Sequence, residues 1–184
     1  MATVFLNPLA ISLRLLIVIL SELKNKHLSL DDAIYKRKSF KEKSITVGLC
    51  HGTFDFIHLG HLRHFQEAKS NVDILFCSIT PDEFVIKGDG RPFYKQIERI
   101  EYLASLLYID YCFINNSPHA IAMLKKFQPD IYFKGNDYIE HAKDPTGNIG
   151  AEVESVESSG GIIHYTNDIQ LSSTDIINNY LKDK

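Results

Sequence analysis

From Ser44 to Leu181, short apolar runs alternate with stretches whose apolar residues recur at helical spacing. Ile45–Cys50, Asp73–Ile79, Tyr111–Ile114, Asp130–Phe133 and Ile162–Tyr165 are compact and mostly apolar, and read as buried strands. Between them, Leu62, Phe65 and Lys69 line one side of a helix ending near Asn71. Ile97, Ile100, Leu103, Leu106 and Leu107 line a second helix that starts around Gln96. Ser117-Pro118 is a cap and first-turn pair for a helix reaching Phe127. A further helix is expected near Ala151–Ser158, and Ser172-Ser173-Thr174-Asp175 opens a last one. Strands separated by helices pair in parallel through crossovers. The pattern therefore predicts an α/β fold, a Rossmann-like doubly wound parallel five-stranded sheet.

Ahead of this domain (44–184), residues 1–43 read as an N-terminal helical extension. Pro8–Leu20 is apolar but interrupted by Ser12 and Arg14, too short to span a bilayer and without the features of a signal peptide. It is expected to pack on the domain or across a dimer. Leu23–Lys43 is a polar, lysine-rich linker in which Leu28–Ala33 can start a short helix.

Composition adds little. The 184 residues are 45% hydrophobic and 23% charged, ordinary for a globular chain, and the net charge of −3 gives no reason to expect nucleic acid as a partner. Three cysteines, Cys50, Cys77 and Cys112, fall in strand-like runs with no CxxC spacing, which points to reduced thiols and a cytoplasmic address.

The polar clusters carry the chemistry. In such sheets ligands bind beyond the carboxyl ends of the strands. The stretch Cys50–His61 turns from the first strand into a helix, with Gly52 and Gly60 set around Thr53, Phe54, Asp55, His58 and His61. Gly60 lets a ligand approach the backbone, and free amides at the helix start attract anions. Two imidazoles there can stabilise charge on a phosphoryl group in flight. The competing reading has one histidine capping the helix and the other packed in the core. Zinc lacks a third ligand at regular spacing, Asp55 being a guess. Lys87, Arg91 and Arg99 add cations, although Arg99 can simply snorkel from its helix. Lys134 closes an apolar strand, where an unpaired lysine is costly and a phosphate would resolve the cost. Gly135 and Asp137 follow it, the latter placed to orient a base or sugar hydroxyl. Ser172, Ser173 and Thr174 can cap a helix and still meet phosphate oxygens. No Walker lysine motif and no GxGxxG is present.

Gly52-Thr53-Phe54-Asp55-Phe56-Ile57-His58-Leu59-Gly60-His61 matches GxFDxxHxGH in full, and on it the chain resembles the cytidylyltransferase-like nucleotidyltransferase superfamily. Lys87–Pro92, Gln96–Arg99, Lys134–Tyr138 and Ser172–Ile177 make it most similar to the adenylyltransferase domain of bifunctional ADP-heptose synthase and its stand-alone relatives. The resemblance implies that a sugar-phosphate oxygen attacks the nucleotide α-phosphate and pyrophosphate leaves, with magnesium on the phosphates. His58 and His61 would then contact the triphosphate, Thr53 and Phe54 would offer backbone contacts, and Lys87 and Arg91 would lie near a phosphate. Lys134 and Asp137 would line the nucleotide pocket, and Ser173 and Thr174 would hold the β- and γ-phosphates. The implied partners are ATP or CTP and a small phosphorylated sugar or polyol, in a homodimer serving surface-polysaccharide (lipopolysaccharide) synthesis. Glycerol-3-phosphate cytidylyltransferases usually carry an arginine where Ile169-Gln170-Leu171 stands, and an acidic residue where Tyr111 follows Asp110. Both departures favour AMP over CMP transfer.

Overall fold

The computed structural model describes residue 21, residues 23–139 and residues 147–167. Among these residues six strands form one parallel sheet: β1 (His27–Leu28), β2 (Val47–Gly52), β3 (Ile74–Ile79), β4 (Tyr111–Ile114), β5 (Ile131–Gly135) and β6 (Ile162–Thr166). Their spatial order is β1-β4-β3-β2-β5-β6. The helices are α1 (Leu30–Glu42), α2 (Leu59–Ser70), α3 (Gln96–Ala104), α4 (Ile121–Phe127) and α5 (Ile149–Glu157), with 3-10 turns at Asp82–Phe84 and Asn136–Tyr138.

Strand side chains alternate between the two faces, and both faces are covered, as a parallel sheet requires. On one face Cys50, Leu75, Cys77, Ile79 and Phe133 meet Phe65 and Ala68 of α2 and Ile100 and Leu103 of α3. On the other, Val47, Leu49, Phe76 and Tyr132 meet Ala33 of α1, Met123, Leu124 and Phe127 of α4, and Val156 of α5. The three cysteines are free and buried, in register across three strands (Cys50↔Cys77, Cys77↔Cys112), and burial pushes the Cys112 thiol up to about 12.

The chain steps outward from β2 through β3 to β4, then returns to place β5 on the far side of β2. The connection after β2 runs to α2 on one face and the connection after β5 runs to α5 on the other. Between the carboxyl ends of β2 and β5 lies the topological switch point, where such folds open a crevice.

Charges tie down both edges of the sheet. Strand N–H groups at the amino edge meet carboxylates: Val47 N donates to Asp130 and Leu75 N to Asp110, at 2.8 and 2.7 Å. Asp130 in turn pairs with the buried Arg37 of α1 at 2.6 Å. The carboxyl edge exposes carbonyls instead, and there the partner is Arg99.

Three local expectations change. The segment before β2 is no linker: β1 adds a sixth strand beside β4, and α1, capped by Ser29 on the Asp32 amide, buries Ala33 and Arg37 against the sheet. Ser117-Pro118 does not start α4, which begins at Ile121. The Ser117 hydroxyl bonds instead to the His119 carbonyl within a turn held by the buried Asn115 side chain. Helix α3 stops at Ala104, before Leu106 and Leu107, and Leu107 is 87% exposed. Pro8–Leu20, Ser172–Thr174 and the expected last helix lie outside the described residues. Among the described residues no helix is long and apolar enough to cross a membrane.

Candidate functional site

The loop between β2 and α2 makes its turn at Phe54, which takes a left-handed backbone (φ +46°). For a bulky residue this conformation costs about 1–3 kcal/mol. Its ring recovers packing beneath the helix start, 5.2 Å from both His61 and Phe65. Gly52 leaves room for that ring, since a Cβ there would come within 3.1 Å of Phe54 Cζ.

His58 is the N-cap of α2, and its Nδ1 accepts from the His61 amide at 3.4 Å. That bond leaves the His58 proton on Nε2. The two rings stack, centroids 3.8 Å apart and planes 18° from parallel. The Leu59 and Gly60 amides occupy the first turn, where the helix has no carbonyls for them. Burial lowers the pKa of both imidazoles. His61 falls to about 3, with His58, His64 and Lys87 adding to the effect and the Phe56 backbone opposing it. Both are neutral at pH 7. Capping and packing are thus real roles of these histidines, and they are also what holds the pair together at the switch point.

Asp55 is buried and engaged three times over. It accepts Arg91 Nε at 2.6 Å and the Phe93 and Tyr94 amides at 2.6 and 3.1 Å. It therefore clamps the loop after β3 onto the loop after β2. Arg91 is held by this pair, not projected free. Lys87, on the exposed limb of the same loop, sits close enough to feel Asp55, Arg91 and Arg99. Desolvation, then the two guanidiniums, lower its pKa, while Asp55 opposes them.

Arg99 does not snorkel. It is 1% exposed, and its guanidinium reaches the carbonyls of Tyr94, Thr53 and Thr80 at 3.1, 2.6 and 2.9 Å and the Asp82 carboxylate at 2.7 Å. One side chain thus fixes the carboxyl ends of β2 and β3 and the loop leading into α3.

Lys134 is buried at the end of β5 but is not unpaired. Its Nζ lies 3.1 Å from Glu152 Oε2 on α5 and 4.1 Å from the Tyr138 ring centroid. The same Oε2 accepts the Tyr132 hydroxyl at 3.0 Å. One strand further, the Lys134 carbonyl accepts from Thr166 Oγ1 at 3.3 Å, and that oxygen lies 2.7 Å from His64 Nδ1. His64 belongs to α2, so this chain of bonds joins β5, β6 and the histidine helix. Gly135 ends β5, and Asp137 contributes backbone to the following 3-10 turn. The Asp137 side chain lies outside the described part of the structure.

The structure thus gathers Gly52, Thr53, Phe54, His58, Gly60, His61, Lys87 and Arg91 around the ends of β2 and β3, with Lys134 and Gly135 on the adjacent β5. Of the residues that hold them, Arg99 belongs to the Gln96–Arg99 stretch, whereas Asp82, Glu152 and Thr166 are not marked by any motif.

A model of the family described as cytidylyltransferase-like matches residues 49–179. Among curated proteins, the bifunctional protein HldE of Geobacter metallireducens is 32% identical over 145 residues, 77% of this chain and 28% of that protein. HldE of Geotalea uraniireducens is 31% identical over 156 residues, 84% of this chain and 30% of that protein. HldE of Nitratiruptor sp. is 34% identical over 123 residues, 65% and 26% respectively. The chain spans less than a third of the length of these relatives. Two solved structures share the fold at 18% identity. The lipopolysaccharide core biosynthesis protein of Thermoplasma volcanium has a TM-score of 0.53, over 70% of this chain and 99% of that one. The pantoate-beta-alanine ligase of Francisella tularensis has a TM-score of 0.55, over 82% and 74%. With its complete GxFDxxHxGH stretch at the switch point of a parallel sheet, and with the family model spanning most of its length, this chain belongs to the cytidylyltransferase-like family.

Proposed function

We propose that this chain is a nucleotidyltransferase that moves a nucleoside monophosphate, AMP in preference to CMP, from a nucleoside triphosphate to a sugar phosphate such as heptose 1-phosphate. An acceptor phosphate oxygen attacks the α-phosphorus, the bond from that phosphorus to the bridging oxygen breaks, and pyrophosphate leaves with the electron pair. The observation that carries the reading is the stacked His58–His61 pair at the start of α2, beside free first-turn amides and the switch point. Neutral imidazole N–H groups and amides stabilise the charge growing on the phosphoryl oxygens. Lys87 supplies a cation from the facing loop. Magnesium would arrive as part of the substrate, on the triphosphate. The Asp55 carboxylate already accepts a guanidinium and two amides, so phosphate oxygens are the available donors for it.

The adenylyl preference rests on likeness to the ADP-heptose synthase domain and on Ile169-Gln170-Leu171 in place of an arginine. Pyrophosphate release, measured with ATP and CTP against heptose 1-phosphate, glycerol 3-phosphate and other sugar and polyol phosphates, tests it. Turnover with ATP and a sugar phosphate is expected. Turnover with CTP alone would assign the chain to polyol-phosphate cytidylyl transfer, and no release with any pair would refute the reading.

A further inference from the structure

Lys134 and Glu152 are 7% and 6% exposed, and their 3.1 Å contact lies at the crevice end of β5. Two further groups fix the pair. The Tyr132 hydroxyl holds the carboxylate oxygen at 3.0 Å, and the Tyr138 ring lies under the ammonium at 4.1 Å. The lysine charge is felt across the site, by His51 on β2 and His64 on α2, and His51 also feels Glu152 with the opposite sign. As an ammonium and a carboxylate in contact, the two groups carry no net charge between them.

That neutrality bears on which half of a nucleotide Lys134 meets. A phosphate on Nζ would share one buried ammonium with the Glu152 carboxylate, placing two anions together where water is scarce. A ring nitrogen, a base carbonyl or a ribose hydroxyl brings no such repulsion. An ammonium has three protons, of which Glu152 takes one.

We propose that Glu152 is the positioning residue of a nucleoside subsite: by anchoring and neutralising Lys134, it assigns that lysine to the uncharged half of the nucleotide and leaves the phosphates to the α2 N-terminus and Lys87. The inference rests on the nucleotidyltransferase reading. It goes beyond that reading in giving Lys134 an orienting partner, a side chain outside every motif.

Adenosine, cytidine, ATP and pyrophosphate are titrated against the wild-type chain, Lys134→Met, Glu152→Gln and the double variant, with thermal midpoints recorded for each. Lys134→Met and Glu152→Gln should each weaken the bound nucleoside about tenfold. Pyrophosphate affinity should be unchanged with Lys134→Met and unchanged or tighter with Glu152→Gln. The double variant should bind the nucleoside no more weakly than Lys134→Met alone, because Glu152 acts through the lysine. If Glu152→Gln does not fold, Tyr132→Phe, which frees the carboxylate and keeps both charges, is read in its place and should weaken the nucleoside alone. Loss of pyrophosphate binding in Lys134→Met with the nucleoside untouched would overturn the inference. So would a Glu152→Gln protein that loses stability and keeps every affinity. Wild-type protein that binds none of the four ligands would instead refute nucleotidyl transfer itself, and the subsite with it.

Discussion

His58 and His61 stack their rings at 3.8 Å with the His58 Nδ1 on the His61 amide, so the helix cap and the ring pair are one arrangement. Two imidazolium charges at this separation would repel, and both pKa values lie below the usual histidine value. The pair is suited to donating hydrogen bonds to a phosphoryl group that becomes more anionic as it transfers. His61→Ala should lower kcat by roughly 10²–10³-fold with a smaller change in KM, the pattern of an interaction made mainly in the transition state. Steady-state pyrophosphate release measures both constants, and an unchanged kcat would remove His61 from the chemistry.

The Asp55–Arg91 pair makes a different prediction, because both side chains are buried and Asp55 also serves two backbone amides. Asp55→Ala strands the guanidinium and both N–H groups, and should cost about 3–5 kcal/mol of folding stability in urea unfolding. Asp55→Ala combined with Arg91→Met should be less destabilised than the sum of the two single changes. Simple additivity would show that the two loops are not coupled through this contact.

Acid should destabilise the fold through its histidines. Burial holds His51 and His64 at about 4 and His61 at about 3, against 6.5 for a histidine in water. Between pH 6.5 and 4 the unfolded chain takes up protons that the folded chain does not. Stability is therefore full above pH 6.5 and falls as pH drops through that window, each unit of depression being worth about 1.4 kcal/mol per histidine. Thermal midpoints recorded from pH 7.5 to 4.5 should decline, and less steeply for His64→Gln. Identical slopes for the two proteins would mean that His64 is not held neutral by burial.

Strands β2 to β6 are legible in the sequence because strands buried on both faces are continuous apolar runs, and the site is legible where the motif follows such a run. Strand β1 is not legible: two residues, His27 and Leu28, have no period to read, and their place beside Cys112 and Phe113 is set by tertiary pairing. The start of α4 is misread because Ser117-Pro118 is good cap chemistry locally, while Asn115 folds the same residues into a turn. Lys134 announces itself by closing an apolar strand. Its partner Glu152 is 18 residues away, in a helix where a glutamate normally faces water. The same holds for Asp55, visible in the motif, whose partner Arg91 lies 36 residues on. Residue types that do chemistry show in sequence, but the contacts that neutralise and aim them depend on packing between distant elements.

Arg99 gives the sharpest test of that aiming, because its guanidinium ties the ends of two neighbouring strands together. Its fork reaches three carbonyls and a carboxylate belonging to Thr53, Thr80, Tyr94 and Asp82. Lysine offers its donors from a single point and cannot serve four acceptors spread around a plane, so Arg99→Lys keeps the charge and loses the geometry. The change should cost about 2–4 kcal/mol of stability. Its local signature follows from which acceptors are released. Thr53 begins the strained turn at Phe54 that leads to His58, so amides of residues 54–57 and 82–84 should exchange faster with deuterium. Those of α5, on the opposite face, should keep their wild-type rates. If the loss appeared equally in α5, Arg99 would be supporting the fold as a whole, not the ends of β2 and β3. If the turn alone loosens, kcat should fall along with it, because the histidine pair is then no longer delivered to one fixed place at the switch point.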